Sequence, residues 1–161
     1  MRNKTSTKDL ALASKDILKI SNQSVFMPKK ILNLKPKGIE IFSSHAGFKK
    51  KNTDLLIIIF DKLVNVQCAY SLTSTPSAPI IWDKKNNKGY CKALIVNSGN
   101  ANAHTGHEGL KIINSYVAKL ARKIKCKKEE ILVSSTGVIG EIFNPNLIIN
   151  QIKKLHKIKN T

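Results

Sequence analysis

The sequence VNSGNANAHTG occupies residues 96–106, and SSTGVIG occupies residues 134–140. Each of these two blocks follows a short apolar run, at residues 93–96 and 131–133, that is typical of a buried strand. The residues between the blocks have the pattern of one amphipathic helix. The order strand, small-residue loop, helix, strand, small-residue loop predicts an α/β fold, with both loops around a cavity at the strand ends.

The helix between the blocks is predicted over residues 109–125. Its apolar residues recur three or four positions apart, with lysines opposite them, which is the period of a helix that packs on a core. These residues are Leu110, Ile113, Val117, Leu120 and Ile124. A last helix is predicted after Asn144, with Asn144 as the N-cap and Pro145 at the first helical position. Its buried face would comprise Ile148, Ile152, Leu155 and Ile158.

Upstream of the two blocks, short apolar runs predict further strands. These strands are expected at residues 38–43, 55–60 and 64–70. Asp61 and Lys62 would turn the chain between the second strand and the third. Prolines and hydroxyl side chains predict a loop at residues 71–79, and a polar run predicts another loop at residues 84–89.

The chain has 161 residues and is 42% hydrophobic, which is enough for one domain with its own core. We interpret residues 1–35 as a basic N-terminal extension with a composition compatible with disorder, and residues 36–161 as the folded part. No apolar run approaches the ~20 residues of a membrane span, and no secretory signal is recognisable. The three cysteines are odd in number, which suits a reducing compartment. We therefore expect a cytoplasmic protein.

A metal site and a nucleotide loop are not expected from the sequence. His104, His107 and Glu108 form the pattern H-x-x-H-E, which is neither of the zinc patterns H-E-x-x-H and H-x-x-E-H. The glycines of the first block are not followed by Gly-Lys-Ser/Thr, so a phosphate-binding P-loop is excluded. We therefore predict no metal ligands in this chain.

The net charge of +18 raises one alternative, a non-enzymatic lysine-rich protein that binds RNA or other anions. Arg2 and Arg122 are the only arginines, whereas bidentate recognition of bases and phosphates favours arginine. Aromatic residues, which stack on bases, make up 6% of the chain. The composition therefore favours a compositional bias towards lysine over a specific nucleic-acid site.

Both blocks, in this order and spacing, resemble the ornithine acetyltransferase family, also called glutamate N-acetyltransferases, which are bifunctional enzymes of arginine biosynthesis. The similarity runs from Pro36 to about Leu155. It includes the string from Asn97 to Ala103, Thr105-Gly106, residues 129–133 and residues 135–140. The pair Ala78-Pro79 also matches the family.

The resemblance implies an α/β fold with layered strands and helices, and it implies transfer of an acetyl group from N-acetylornithine to glutamate. Bifunctional members also accept acetyl-CoA as the donor, and no cofactor is implied. Thr136 and Gly137 match the family's oxyanion-hole pair. A nearby loop would be shaped by Asn97, Ser98, Gly99, Asn100 and Asn102, to which we assign no individual catalytic role.

Such enzymes cleave themselves before a threonine, which becomes the N-terminal nucleophile of a second chain. The family's cleavage site is an Ala-Thr step, and this chain contains no Ala-Thr dipeptide. We therefore expect an N-terminal fragment, incomplete at its C-terminus, from a truncated gene, a split gene or an incomplete reading frame. We expect it to be inactive alone and to act with a C-terminal, nucleophile-bearing chain in a hetero-oligomer of cleaved chains.

Overall fold

The computed structural model describes residues 36–155. Within this range the chain forms a mixed four-stranded sheet, three α-helices and one 3₁₀ turn. The strands are β1 (Ile39–Ser44), β2 (Leu55–Asn65), β3 (Tyr90–Asn100) and β4 (Ile131–Val138). The helices are α1 (Ala78–Asn86), α2 (Gly106–Ile124) and α3 (Asn146–Lys154), and the 3₁₀ turn is Lys128–Glu130. The predicted α/β class is confirmed.

The strands lie in the order β1-β2-β3-β4, with the first two pairs antiparallel and the pair β3 and β4 parallel. Helix α2 makes the connection between the parallel strands, as a crossover between parallel strands requires. The carboxyl ends of β3 and β4 therefore lie together at one edge of the sheet. This arrangement brings the two small-residue blocks side by side.

The helices cover one face of the sheet. A row of side chains across all four strands faces them, formed by Phe42, Ile57, Ile95 and Val133. The buried side chains of α2 and α3 that join this core include Ile113, Val117, Leu120, Ile148 and Ile152. Full burial of an aliphatic side chain of this size contributes about 1.5–3 kcal/mol, so each residue of this layer stabilises the fold appreciably.

Helix α2 follows the apolar period read from the sequence. Ile113, Val117 and Leu120 are fully buried, and Leu110 and Ile124 are partly buried against the same core. The helix begins at Gly106, three residues earlier than predicted, and it ends at Ile124, followed by the cap residue Lys125 with a left-handed φ of 55°. The backbone N–H of Lys125 donates to the carbonyl of Ala121 and closes the last turn.

The prediction of a turn at Asp61-Lys62 and of a separate strand over residues 64–70 is wrong. Strand β2 runs through both residues to Asn65, with a bulge between Ile59 and Val64. After the bulge, Val64 pairs with Cys91 and restores the ladder with β3. A bulge interrupts the pairing of two strands locally without ending either strand. Asp61 and Lys62 lie within this interruption, so β2 continues past them.

The loops predicted at residues 71–79 and 84–89 overlap helix α1, which the sequence pattern missed. Pro79 lies in its first turn, where a backbone N–H has no partner within the helix and proline is tolerated. Trp82 and Asp83 are buried and bond to strand β4: the indole N–H donates to the carbonyl of Ile131, and the Asp83 carboxylate accepts the N–H of Val133. These tertiary contacts, rather than an amphipathic period, hold the helix in place.

Helix α3 begins one residue later than predicted. Pro145 takes the cap position, and Asn144 still accepts the N–H of Asn146 through its side-chain oxygen at 2.9 Å. Ile148 and Ile152 are buried and Leu155 is partly buried, as predicted. Ile158 and the proposed extension at residues 1–35 lie outside the described residues. Within residues 36–155, no helix is long and apolar enough to cross a membrane.

Candidate active site

The two small-residue blocks lie mostly within strands rather than in loops. Residues 97–100 are the last four of β3, and residues 134–138 complete β4. Ser98 pairs with Thr136, and Gly99 pairs with Gly137. The predicted proximity of the blocks, at the same end of adjacent strands, is therefore confirmed. Their prediction as loops is wrong for residues 97–100 and 134–138, which pair in the parallel ladder, and it is confirmed for residues 101–105, which follow β3 without regular structure.

Two glycines make this close approach of the strands feasible. Gly99 and Gly137 have φ values of 124° and 132°, a region that side chains rarely adopt. A Cβ atom on Gly137 would overlap the carbonyl carbon of Gly99 and would lie 2.5 Å from the backbone nitrogen of Asn100. A Cβ atom on Gly99 would lie 2.8 Å from that of Phe48 on the opposite side. Gly99 is thus held between Phe48 and Gly137, with no room for a side chain at either glycine.

Asn97 joins the ends of β3 and β4 through its side chain, which is 1% exposed. Its amide nitrogen donates to the carbonyl of Asn100 at 2.8 Å, and its oxygen accepts the hydroxyl of Ser135 at 2.5 Å. Ser135 directly precedes Thr136. The buried amide therefore fixes the backbone immediately before the candidate oxyanion pair.

Asn100 and Asn102 continue this buried network away from the strands. Asn100 donates to the carbonyl of Glu141 at 2.9 Å, and its side-chain oxygen accepts the N–H of Asn102 at 2.8 Å. Asn102 in turn donates to the carbonyl of Gly109 in α2 and accepts the hydroxyl of Thr105. Each amide uses both its donor and its acceptor, as buried amides must. The three asparagines are therefore structural links between β3, β4 and α2.

Thr136 and Gly137 differ from these residues because both are exposed. The strand ends at Val138, and the side chains of Val138 and the next residue, Ile139, are 49% and 62% exposed. The threonine hydroxyl and the glycine N–H are the donor types that stabilise an oxyanion. Their assignment as an oxyanion hole, and the loop-shaping role of the five residues Asn97, Ser98, Gly99, Asn100 and Asn102, stay predictions.

Asp54 is a site-supporting residue that sequence reasoning missed. Its carboxylate is fully buried and accepts the backbone N–H groups of Ala46, Gly47 and Lys49, while Nδ1 of His45 lies 3.3 Å away. Burial acts to raise the pKa of Asp54, but the N–H bonds from these backbone groups outweigh it and hold the pKa below its usual range. The sequence feature that could have indicated this role is an aspartate between the polar residues 49–53 and the apolar run at residues 55–60.

Strands β1 and β2 and the residues between them, 45–54, form a hairpin, which we call the Asp54 hairpin. It contributes to the candidate site through two contacts. The carbonyl of Asp54 accepts the N–H of Ser98 at 2.8 Å, which ties the hairpin to the end of β3. Phe48 in the same hairpin packs edge-on against Phe143, with ring centroids 5.0 Å apart, and lies against Gly99. The hairpin therefore buttresses β3 on the side opposite to Gly137.

A cavity of about 490 Å³ lies beside the loop that follows β3. It is lined by loop residues, the start of α1 and the first turns of α2, including Ser74, Pro76, Ile81, His104, His107 and Leu110. None of the seven predicted site residues lines this cavity among the residues that the structure describes. This cavity lies towards α1, while Thr136 and Gly137 are exposed outside its lining. The cavity expected at the strand ends stays a prediction.

A sequence profile described as "ArgJ family" matches residues 40–160. The chain belongs to the ArgJ family. It is 38% identical over 122 residues to the arginine biosynthesis bifunctional protein ArgJ of Bartonella henselae, a match that covers 74% of this chain and 30% of that protein. The protein of the same name from Bradyrhizobium diazoefficiens is 42% identical over 107 residues, covering 65% of this chain and 26% of that protein.

Two solved structures have the same fold as this chain. The bifunctional protein from Bacillus halodurans superposes with a TM-score of 0.70 at 34% identity, covering 74% of this chain and 64% of that chain. Ornithine acetyltransferase from Mycobacterium tuberculosis, solved in complex with ornithine, gives a TM-score of 0.68 at 23% identity, over 78% of this chain and 71% of that chain. The resemblance stated from the two blocks is confirmed. The chain spans less than a third of the length of the Bartonella and Bradyrhizobium relatives.

Proposed function

We propose that this chain forms the oxyanion-binding part of an acetyltransferase of arginine biosynthesis. The reaction would move an acetyl group from N-acetylornithine to glutamate, with acetyl-CoA as a second donor in a bifunctional enzyme. Membership of the ArgJ family supports this proposal, as do relatives named arginine biosynthesis bifunctional proteins. The related mycobacterial protein named ornithine acetyltransferase was solved with ornithine bound, which fits a site for this amino acid in the family.

The position of Thr136 and Gly137 is the observation that carries the proposal. They are exposed at the carboxyl end of β4, while the residues behind them are fixed by Asn97, Ser135 and Gly99. Exposed donors on a strand that buried hydrogen bonds hold in place would need little reorganisation when charge develops on a substrate.

The proposed chemistry is acetyl transfer through an ester. A threonine hydroxyl, supplied by polypeptide outside this chain, would attack the acetyl carbonyl of N-acetylornithine. The carbonyl oxygen would become an oxyanion, to which Thr136 and Gly137 donate. Collapse would break the C–N bond, and the ornithine amine would leave with the proton released by the nucleophile. The glutamate amine would then attack the ester, regenerate the threonine hydroxyl and carry the acetyl group away, so no cofactor is consumed.

An acetyl-transfer assay with and without complementary polypeptide tests this proposal. The chain alone, with N-acetylornithine and glutamate, is expected to form no N-acetylglutamate above background, because it lacks the threonine nucleophile. A complex reconstituted with the remaining part of an ArgJ relative is expected to be active. Turnover by the chain alone would contradict the proposal, as would an inactive complex that is correctly assembled.

Substitution of Thr136 in such a complex tests the oxyanion role. Thr136→Ala is expected to lower kcat by ~10²–10³-fold with little change in KM, because the lost donor meets charge that exists only in the transition state. Thr136→Ser keeps a hydroxyl and should retain most of the activity. Thr73→Ala removes an exposed hydroxyl from the loop before α1, outside the lining of the 490 Å³ cavity, and is the matched control. Equal activity of the Thr136→Ala variant and the wild type would leave Thr136 as an ordinary strand residue.

A further inference from the structure

Asp54 contacts the end of β3 in two independent ways. Its backbone carbonyl accepts the N–H of Ser98 at 2.8 Å. Its carboxylate oxygen Oδ2 accepts the N–H groups of Gly47 at 3.2 Å and of Lys49 at 3.0 Å. These two residues flank Phe48, which lies against Gly99. The side chain of Asp54 thus holds the segment that covers Gly99, while the backbone of Asp54 holds the residue before it.

The contact between Phe48 and Gly99 involves atoms of Phe48 whose position depends on the backbone. A Cβ atom on Gly99 would lie 2.8 Å from the Cβ of Phe48 and 3.1 Å from its carbonyl oxygen. These atoms move only when the backbone of residues 47–49 moves, whereas the ring of Phe48 packs against Phe143. The carboxylate of Asp54 therefore fixes the atoms that face Gly99.

Ser98 and Gly99 are the ladder partners of the candidate oxyanion pair. Ser98 pairs with Thr136, and Gly99 pairs with Gly137. A Cβ atom on Gly137 would overlap the backbone of Gly99, so the two backbones are in contact with no side chain between them. Close-packed atoms transmit a displacement to their neighbours. A shift of Gly99 would therefore change the position of Gly137.

The carboxylate of Asp54 is well suited to hold this segment. Asp54 is 2% exposed, and its carboxylate accepts the N–H of Ala46 in addition to the two N–H groups that flank Phe48. Burial acts to raise the pKa of Asp54, but the backbone N–H bonds outweigh it and hold the pKa below its usual range. The group is therefore an anion at neutral pH, and hydrogen bonds to an anion are stronger than those between neutral groups.

We propose that Asp54 is a positioning residue for acetyl transfer, because it holds both residues of β3 that pair with Thr136 and Gly137. In this role Asp54 does not touch the substrate. It keeps β3 in place so that the two donors on β4 reach the developing oxyanion together. The inference rests on the proposed function. Because the donors meet charge that exists only in the transition state, a loss of this support should lower kcat and leave KM nearly unchanged.

NMR of the full chain tests the structural half of the inference without any substrate. Asp54→Asn keeps the size of the side chain but replaces one acceptor oxygen by an NH₂ group, so the three backbone N–H groups cannot all be accepted. The amide resonances of Thr136 and Gly137 are expected to shift, and hydrogen exchange at Ser98 is expected to be faster. Gln151→Ala is the matched control, since it removes a bond from α3 to the carbonyl of His45 and leaves residues 47–49 bonded to Asp54. It should leave these resonances unchanged.

The catalytic half is tested in a complex reconstituted with the remaining part of the Bartonella henselae ArgJ protein. Asp54→Asn is expected to lower kcat by about 10- to 100-fold, with KM within about twofold of the wild type, because small misplacements of catalytic groups have effects of this size. Gln151→Ala is expected to keep kcat within about twofold. Leu120→Ala controls for a general loss of stability, since it removes buried atoms from α2, and it should also keep kcat within about twofold in the assembled complex.

Two substitutions of Phe48 provide a second test that leaves the bonds of Asp54 in place. Phe48→Ala and Phe48→Gly both remove the ring, but only the glycine removes the Cβ atom that faces Gly99. We expect kcat to be about 3- to 10-fold lower for Phe48→Gly than for Phe48→Ala. This pair decides the test if circular dichroism shows that Asp54→Asn does not fold.

Three outcomes would overturn the positioning role. They are unchanged resonances of Thr136 and Gly137 in a folded Asp54→Asn chain, a kcat of this variant no lower than that of Leu120→Ala, and an equal kcat in the two Phe48 variants. The failure of the proposed function looks different. A correctly assembled wild-type complex without activity would refute that function, while the resonances of the chain alone would still show whether Asp54 positions the pair.

Discussion

The centre of the sheet is packed with apolar side chains, whereas its β3–β4 end is held by buried polar side chains and glycines. At the centre, a row of apolar side chains that includes Ile57, Ile95 and Val133 is buried beneath the helices. At the end, Asn97 and its neighbours are equally buried but are polar, and the glycines between them leave no space. Within a few residues, β3 and β4 thus change from non-directional apolar packing to directional side-chain hydrogen bonds.

Because of this difference, the two regions should tolerate different substitutions. Apolar burial depends on area and volume, so the centre is sensitive to atoms that are removed. A buried amide depends on its partners, and leaving one of them unpaired costs about 1–3 kcal/mol. The β3–β4 end is therefore sensitive to atoms that are added and to partners that are lost. The predictions below test this contrast in order of expected effect.

Gly137→Ala is expected to have the largest effect on stability. The added methyl group would overlap the backbone of Gly99, and the φ of 132° is strained for alanine. Strain of about 1–3 kcal/mol and a similar cost of overpacking predict a loss of about 2–6 kcal/mol in the free energy of unfolding. Gly106→Ala is the matched control, because Gly106 has a φ of 56° and nothing within 4 Å of the added atom. Urea unfolding of both variants measures the difference, and equal losses would contradict the close approach of β3 and β4.

Leu120→Ala probes the opposite sensitivity at the centre. Leu120 is fully buried in α2, so removal of its side chain should cost about 2–5 kcal/mol of unfolding free energy through lost burial and a residual cavity. Lys119→Ala, at the preceding position of the same helix, should change stability by less than about 0.5 kcal/mol. Thermal or urea unfolding gives both values. A small effect at Leu120 would mean that the helix layer is not the main core.

Asn97→Ala tests the directional bonds of the β3–β4 end. The variant leaves the carbonyl of Asn100 and the hydroxyl of Ser135 without their partner, which should cost about 1–3 kcal/mol. In a double-mutant cycle with Ser135→Ala, the two losses should be non-additive by at least about 0.5 kcal/mol. Asn150→Ala, at an exposed position of α3, is the control. Additive losses would show that the bond between Asn97 and Ser135 contributes nothing to stability.

Asp83→Asn should give the smallest effect at about pH 4, where the Asp83 carboxyl of the folded protein is protonated, and its effect depends on pH. Burial raises the pKa of Asp83 from 3.8 to about 7, while its bond from the N–H of Val133 acts in the opposite direction. The folded protein therefore holds this proton between about pH 4 and pH 7 while the unfolded chain has released it, so wild-type stability falls across that window.

The asparagine variant keeps an oxygen for Val133 but has no proton to lose. Its stability relative to the wild type should therefore rise with pH by at most about 1.4 kcal/mol per unit and become constant above pH ~7. Asp61→Asn removes an exposed carboxylate and is the matched control. Urea unfolding at several pH values checks this, and a difference that does not change with pH would contradict a raised pKa.

Several features of the fold were predictable because they depend on local sequence. The period of Ile113, Val117 and Leu120 marks one face of a helix wherever that helix packs. The two small-residue blocks each follow an apolar strand, and a helix between two strands favours their parallel pairing. The adjacency of Ser98 and Thr136 then follows from the topology.

Other features depend on partners that are distant in sequence. Helix α1 lacks an apolar period, and it is held by bonds from Trp82 and Asp83 to residues of β4 that are 49 and 50 positions away. The continuation of β2 past Asp61 depends on a bulge and on pairing with Cys91. The role of Asp54 depends on backbone N–H groups that a tight hairpin turns towards it. A local pattern contains no information on such partners.

The amino-acid sequence was sufficient for the α/β class and the membership of the ArgJ family, because hydrophobic period and short motifs are encoded in neighbouring residues. The role of Thr136 and Gly137 stays a prediction. The three-dimensional packing was needed to show that Asn97, Asn100 and Asn102 are buried links and that the sheet is apolar on both faces. The physical reason is that a polar side chain becomes structural only when buried partners satisfy its hydrogen bonds, and burial is a property of the whole fold.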